Sequence, residues 1–396
     1  MRALCRAVPV VLLLLSLALL LAPRSARTVP LYAARTGLQC ESCHFDPNGG
    51  GPRNEFGFGF AKNRHSLAPD DSTSAWKDLT LTNRVGDNMP VYFGVNQRFM
   101  LFSDEHAGLT YPERLAFFNM ETELHIAFQP HDLLTLVYTL DGFAQGPDNI
   151  VRSKEAFGMI GSGPLGGYLK VGRFRTPFGL RLDDHTVATR NGFGDTGTGG
   201  PFLPYDPRKP DMGVELGGGY KGWFGRAALT NGTASYVSTD PFSNAATFKL
   251  GYNTTYYQGG VSFYQQGGTG SYRRSSRWGY YGMTHYRDLV LLGEVAAGND
   301  IDATSGGTKS LLAGFAEVDY APRRWMNVRV RVDRAELDRG AGPTIDDENT
   351  YNRYALEGEF VPVPFAELRW AARYIDAKDP LQPDDRQGFL QFHFSY

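Results

Sequence analysis

Beyond Val91 the chain alternates. Val328, Val330 and Val332 are interleaved with Arg329, Arg331 and Asp333, and Leu368, Trp370 and Ala372 with Glu367, Arg369 and Arg373. Tyr354, Leu356 and Phe360 stand out of phase with Arg353, Glu357 and Glu359. Earlier, Met120, Leu124, Ile126 and Phe128 oppose Asn119, Glu121, Glu123 and His125. A period of two is the strand period, with side chains thrown to opposite faces. Charge this dense on one face is intolerable in a dry sandwich core but normal in the aqueous lumen of a membrane barrel. A soluble sandwich with one wet face per sheet is the alternative.

The connections follow the same logic. Short ones fall at Pro130 to Asp132, Gly163 to Gly166, around Gly222 and Tyr257, at Arg287-Asp288, Ala321 to Arg324 and Pro362 to Pro364. Longer ones lie between them, and short turns alternating with long loops is the asymmetry of outer-membrane barrels. The tally predicts sixteen antiparallel strands, an even number that puts both barrel ends on the periplasmic side. The last segment alternates too, with Leu390, Phe392, Phe394 and Tyr396 on one face.

The other end of the chain is different. Arg2 and Arg6 precede a run from Val10 to Ala22 that is apolar apart from Ser16, and small residues follow at Ser25, Ala26, Ala33 and Ala34. That order is a secretory signal, and the run is short of the roughly 18–20 residues a spanning helix needs. Cleavage is expected between Ala26 and Ala34. Three segments result: a leader over 1–33, a loop-rich module over 34–89, and a barrel over 90–396. Aromatic residues at 13% and 47 glycines suit a barrel with an aromatic outer band. A formal net charge of -2 gives no electrostatic case for a nucleic-acid partner.

The middle module carries the chemistry. Cys40-Glu41-Ser42-Cys43-His44 is C-x-x-C-H, the spacing for covalent haem c attachment. Cys40 and Cys43 would each add to one vinyl group, and His44 would take one axial position on the iron. Cys5 lies in the leader, so no second cysteine pair exists for a structural zinc. A local disulfide or a redox dithiol are the other readings of the pair. The module is too short and too poor in aliphatic residues for an ordinary cytochrome core, so the barrel wall or the haem must complete it, and the module acts as a plug. For the distal ligand His65 is the first candidate and Met89 the second; a lumen histidine, His125 or His393, is a third. A methionine would raise the potential relative to two histidines. Phe56, Phe58 and Phe60 either cover the porphyrin or pin the plug to the wall.

Two further features bear on function. The connection from Thr176 to Asp211 is long enough to be functional, and a lumen-narrowing loop is expected. Acidic pairs at Asp183-Asp184, Asp346-Asp347-Glu348 and Asp384-Asp385 either collect a hard divalent cation at the mouth or are simply solvated.

Resemblances add to these readings. The string Gly172-Arg173-Phe174-Arg175-Thr176-Pro177-Phe178-Gly179-Leu180 resembles a motif of the phosphate-selective porin O/P family, which would imply anion passage past Arg173 and Arg175. The terminal strand ending on Tyr396 looks like the assembly signal of bacterial outer-membrane barrels. The entry Ala34-Arg35-Thr36-Gly37-Leu38-Gln39, the haem motif and the Asn54 to Gly57 element resemble the fused monohaem cytochrome–porins of iron-oxidising bacteria. That resemblance implies an outer-membrane protein, exported through a cleaved leader and embedded in outer-membrane lipid. It would bind one covalent haem c, take electrons from extracellular Fe(II) or another redox donor, and pass them to a periplasmic carrier such as a soluble cytochrome c. The chain departs from the pattern at the glycine-rich insert Asp46 to Pro52. The rival function is an anion or small-solute porin whose haem plug is structural or regulatory. A haem peroxidase or sensor is a third, and needs a vacant sixth position.

Overall fold

The computed structural model describes residues 29–67, 81–86, 89–106, 113–142, 152–163, 166–182, 184–192, 201–232, 245–267, 272–342, 348–378 and 384–396. Residues 1–28 of the expected leader (1–33), and Asp183, Asp346 and Asp347 of the acidic loops, lie outside them. The strands are β1 (Val91–His106), β2 (Glu113–His131), β3 (Leu134–Asp141), β4 (Arg152–Gly163), β5 (Gly167–Phe174), β6 (Asp211–Tyr220), β7 (Trp223–Thr230) and β8 (Ala245–Asn253). Then come β9 (Tyr257–Gly267), β10 (Tyr272–Tyr286), β11 (Leu289–Asp302), β12 (Thr308–Arg323), β13 (Met326–Glu336), β14 (Thr350–Val363), β15 (Ala366–Ala377) and β16 (Asp385–Ser395).

Each strand pairs antiparallel with its sequence neighbours, and β1 pairs with β16, so the sheet closes on itself as sixteen strands. Closure leaves no unpaired edge, which is what allows a sheet to stand in lipid. The alternation places the residues as expected. On β13, Arg329, Arg331 and Asp333 are buried while Val330 and Val332 are exposed. Apolar side chains ring the outside, among them Leu115 at 72% and Leu229 at 69% exposure. Hydrocarbon is the medium in which such a surface costs nothing.

One part of the pattern fails, and the reason is local. Arg98 faces Glu121 while Phe99 faces Asn119, so β2 carries an extra residue at Met120. A bulge of this kind reverses the phase. Met120 therefore leaves the lipid-facing set: its sulfur accepts from the lumen amide of Gln391 at 3.0 Å. Before the bulge Leu115 and Phe117 point outward, and after it Leu124 and Phe128 do.

The lumen is occupied. Part of the occupant is the connection between β5 and β6. Phe178, Phe202 and Leu203 are fully buried there against Ala245, Tyr264 and Ala296 of the wall. A short helix, α2 (Ala188–Asn191), presents Arg190, which makes a two-pronged bond to Glu294 of β11 at 2.7 and 3.1 Å. Backbone amides complete the fastening: Gly179 donates to Ser262, and Leu180 to Glu294. The expected inward-folding loop is thus present, held by buried charges that a solvent-facing loop would not need.

The rest of the occupant is the segment before the barrel. Leu31, Tyr32, Ala33 and Ala34 are buried against Tyr281, Met283, Val290, Leu292 and Phe315 of the wall. The helix α1 (Glu55–Lys62) follows, capped by the Asn54 side chain, which accepts from the Gly57 amide at 2.9 Å. The spaced phenylalanines of this stretch lie on a helix and meet protein. Phe58 packs on Phe365 and Tyr396, with ring centroids 5.0 and 5.1 Å away. Phe60 meets Tyr32 and stacks on His65, and Phe56 is exposed. These contacts pin the plug to the wall.

Candidate functional site

Cys40–Ser42 form one turn of tight helix, closed by the amides of Cys43 and His44 donating to the Cys40 carbonyl, both at 3.1 Å. Both thiols thus project from one turn, and they are not joined as a disulfide. Gly57 of α1 fits directly against this turn. A Cβ there would lie 2.1 Å from the Cys43 carbonyl oxygen, so only glycine admits the approach. Asn54 closes the pair from the other side, its amide donating to the Ser42 carbonyl at 3.1 Å. Burial pushes the Cys40 thiol upward in pKa, with the cations of Arg226 and Lys249 pulling the other way.

The insert Asp46 to Pro52 anchors the motif to the wall. Lys170 of β5 reaches Asp46 at 2.9 Å and Glu215 of β6 at 3.0 Å, all three groups being buried. Asn48 donates to both oxygens of Glu215, at 3.1 and 2.9 Å. Arg226 of β7 donates to the Pro47 carbonyl at 2.5 Å. On the opposite side Arg53 donates to the carbonyl and hydroxyl oxygens of Ser395, at 2.8 and 3.1 Å. Several lumen charges therefore hold the plug.

Beside this seat is a cavity of about 380 Å³. It lies at the short-turn end of the barrel, between the motif and the turns joining β2 to β3 and β4 to β5. His44 lines it, with Glu41, Phe45, Met159, Tyr168 and Arg226 among the other walls. The volume is within the range of small-molecule and cofactor sites, roughly 300–1,000 Å³. By spacing, two thiols and an imidazole on one stretch form the donor set of haem c, but only His44 of the three lines this cavity. Cys40, Cys43 and His44 would hold the haem, and what it supplies when bound is a one-electron iron couple.

The distal candidates are elsewhere. His65 is in the left-handed backbone region, φ 57°, and its Nδ1 lies 2.5 Å from the Tyr32 hydroxyl. Tyr32 in turn donates to Glu359 at 2.5 Å. Burial drives the pKa of His65 down from 6.5 to about 3, so the ring is neutral. Met89 is 56% exposed. His393 uses both ring nitrogens, on Glu367 and Asn96, each at 2.6 Å. His125 bonds Thr139 and sits 3.4 Å from Glu123. None of the four lines the cavity that His44 lines. Met159, which does, was hidden in the sequence by a weak pattern around glycines; its signal is the inward set Glu155, Phe157, Met159 on β4.

The arginines of the Gly172 to Leu180 string are structural fastenings in this arrangement. Arg173 donates to the carbonyls of Pro210 and Ser153, tying the corner where β5 enters the long loop. Arg175 is buried 3.7 Å from Glu155, where a Cβ on Gly50 of the plug would strike it at 2.5 Å. Of the acidic residues that are described, Asp184 pairs with Arg181, Asp384 accepts from Tyr374 and Asp385 accepts from Gln387. Among the described residues no three His, Cys, Asp or Glu side chains cluster as metal ligands.

Fold and site together define a membrane-spanning sixteen-stranded barrel of porin architecture whose lumen holds its own N-terminal segment. Solved structures with the same architecture include an anion-selective porin from Comamonas acidovorans, with a TM-score of 0.61 at 12% identity, covering 77% of this chain and 99% of that one. The outer membrane channel DcaP of Acinetobacter baumannii gives 0.58 at 11% identity over 80% of this chain and all of that one. OprB of Pseudomonas putida gives 0.58 at 9% over 78% and 94%. At such identities the likeness is one of fold, that of outer-membrane porins. No family model matches the chain, and no curated protein does.

Proposed function

We propose that this protein is an outer-membrane electron conduit: a porin-type barrel that carries one haem c on Cys40 and Cys43 and relays single electrons between an extracellular donor, such as Fe(II), and a periplasmic carrier. The observation that carries the reading is the seat of the haem motif. It is fixed in the lumen by buried contacts to β5, β6 and β7 and a part-buried one to β16, with His44 lining a cavity at the short-turn mouth. The bound haem would contribute the redox couple. The chain's part is to hold that group in register, to set its charge surroundings through Glu41 and Arg226, and to insulate it from lipid. No general base or nucleophile is required, since the couple belongs to the cofactor. The apolar belt of such barrels is about 25 Å tall, and the inward-folded loop and plug occupy the aqueous route across it.

The solute-passage reading has its own support. The solved structures that share this fold include proteins described as an anion-selective porin and an outer membrane channel. One experiment separates the two. Haem-loaded protein is placed in liposomes with Fe(II) outside only, and haem reduction by stopped flow is followed alongside single-channel conductance. The conduit reading expects reduction with no open-pore current. An open pore without haem reduction, or a mature chain with no haem retained through acid–acetone extraction, refutes it.

A further inference from the structure

The plug and the inward-folded loop share one core. Leu31, Tyr32 and Phe60 of the plug and Leu180 and Val187 of the loop belong to a single cluster of buried apolar side chains, completed by the wall. The wall is shaped for it. On β11, Leu289 and Leu291 are exposed to lipid, while Val290 and Leu292 between them are apolar too and buried inside the barrel. In an open lumen those inner side chains would stand in water, and the cluster removes them from it.

Two polar connections run beside the cluster. Arg175, where the chain leaves β5 for the loop, lies so near Gly50 of the plug that a Cβ there would stand 2.5 Å from its Nη1. A second connection passes through the wall. Arg181 of the loop pairs with Glu317 of β12 at 2.5 Å. Arg329 of β13 lies 3.6 Å from Glu317 and 3.8 Å from Glu359 of β14, and Tyr32 of the plug donates to Glu359 at 2.5 Å.

We propose that plug and loop are a mutually dependent double seal: each is held in the lumen partly by the other, so loosening either loosens both. The loop joins β5 to β6 at the long-loop end, whereas the plug is fastened to Ser395 near the other end of the wall. An event on the extracellular loop is therefore felt by the plug at the periplasmic side. Coupling of this kind is reciprocal, each body changing the hold on the other by the same factor. The proposal does not depend on whether Cys40 and Cys43 carry a haem.

The test is limited proteolysis of the full mature chain, with cuts within 29–67 and within 176–211 timed separately by mass spectrometry. Arg53→Met removes the plug's bonds to Ser395 of β16, and Arg190→Met removes the loop's bonds to Glu294 of β11. Heat-modifiable migration checks that the barrel stays closed. Where reclosing is faster than cleavage, the cutting rate follows the open population. Each variant should raise cutting in the other body by at least about fivefold, the lower end of ordinary coupling between sites. Leu180→Ala, which thins the shared core, should shrink both cross effects. Cutting confined to the body that carries the substitution, or cross effects undiminished in the Leu180→Ala background, overturns the proposal. Equal cutting of both segments in wild type and in both variants overturns it as well, since neither fastening would then hold its body.

Discussion

Lys170→Met tests whether the plug is seated by charge. The wild-type ammonium is wholly buried between Asp46 and Glu215, at 2.9 and 3.0 Å, and lies 4.7 Å from the Phe174 ring centroid. A methionine fills similar space but leaves two carboxylates facing each other with no cation between them. Breaking a buried pair in this way costs about 3–5 kcal/mol. At about 1.4 kcal/mol per factor of ten, that is roughly two to four powers of ten in the seating constant. Most of the cost falls on the plug, because Glu215 keeps its bonds from Asn48 only while the plug is in place. The barrel itself should persist, read as unchanged heat-modifiable migration. Two assays report release: proteolysis of residues 29–67 in the intact barrel, and conductance in planar bilayers. Both should rise in Lys170→Met and return toward wild type when Asp46→Asn and Glu215→Gln are added. Equal protection and equal conductance in wild type and Lys170→Met would refute the reasoning, as would failure of the triple variant to restore either.

Other expectations follow from neighbouring features. Seating should weaken in acid through His65. Burial holds its pKa near 3, and the released ring titrates near 6.5. Between those values the released plug binds a proton that the seated plug refuses, so seating is full above about pH 6.5 and falls as pH drops toward 3. His65→Asn, which tolerates the left-handed backbone, should flatten that part of a protease-protection profile; an unchanged slope would exclude His65 as its source. Gly57→Ala should push α1 off the Cys43 turn and cost about 1–3 kcal/mol of overpacking, seen as lower covalent haem per barrel and faster plug proteolysis. Mass spectrometry of the mature protein should find an N-terminus before Val29, since Leu31 to Ala34 are core residues; an N-terminus at Ala34 would show that this burial is not used.

The barrel was legible because lipid and lumen impose a strict period, and each of Arg329, Arg331 and Asp333 falls on the side the pattern assigns. Met120 was not, because a bulge is a matter of pairing register, which no single strand contains. The C-x-x-C-H spacing of Cys40 to His44 was legible, but the seat of that segment was not. Lys170 with Asp46, and Arg53 with Ser395, join residues far apart in sequence, and period gives only the face of a residue, never its depth in the lumen. Period says equally little about the Tyr32 hydroxyl that His65 meets. The phenylalanines at 56, 58 and 60 look strand-like by period, yet the Asn54 cap sets them on a helix.

The bond from Arg53 to Ser395 falls where the barrel closes. Ser395 is on the strand that joins β1 to finish the cylinder, and the next residue, Tyr396, exchanges backbone bonds with Val95. The occupant therefore holds the seam between the first and the last strand. That seam is thus braced from within as well as closed by its own backbone ladder.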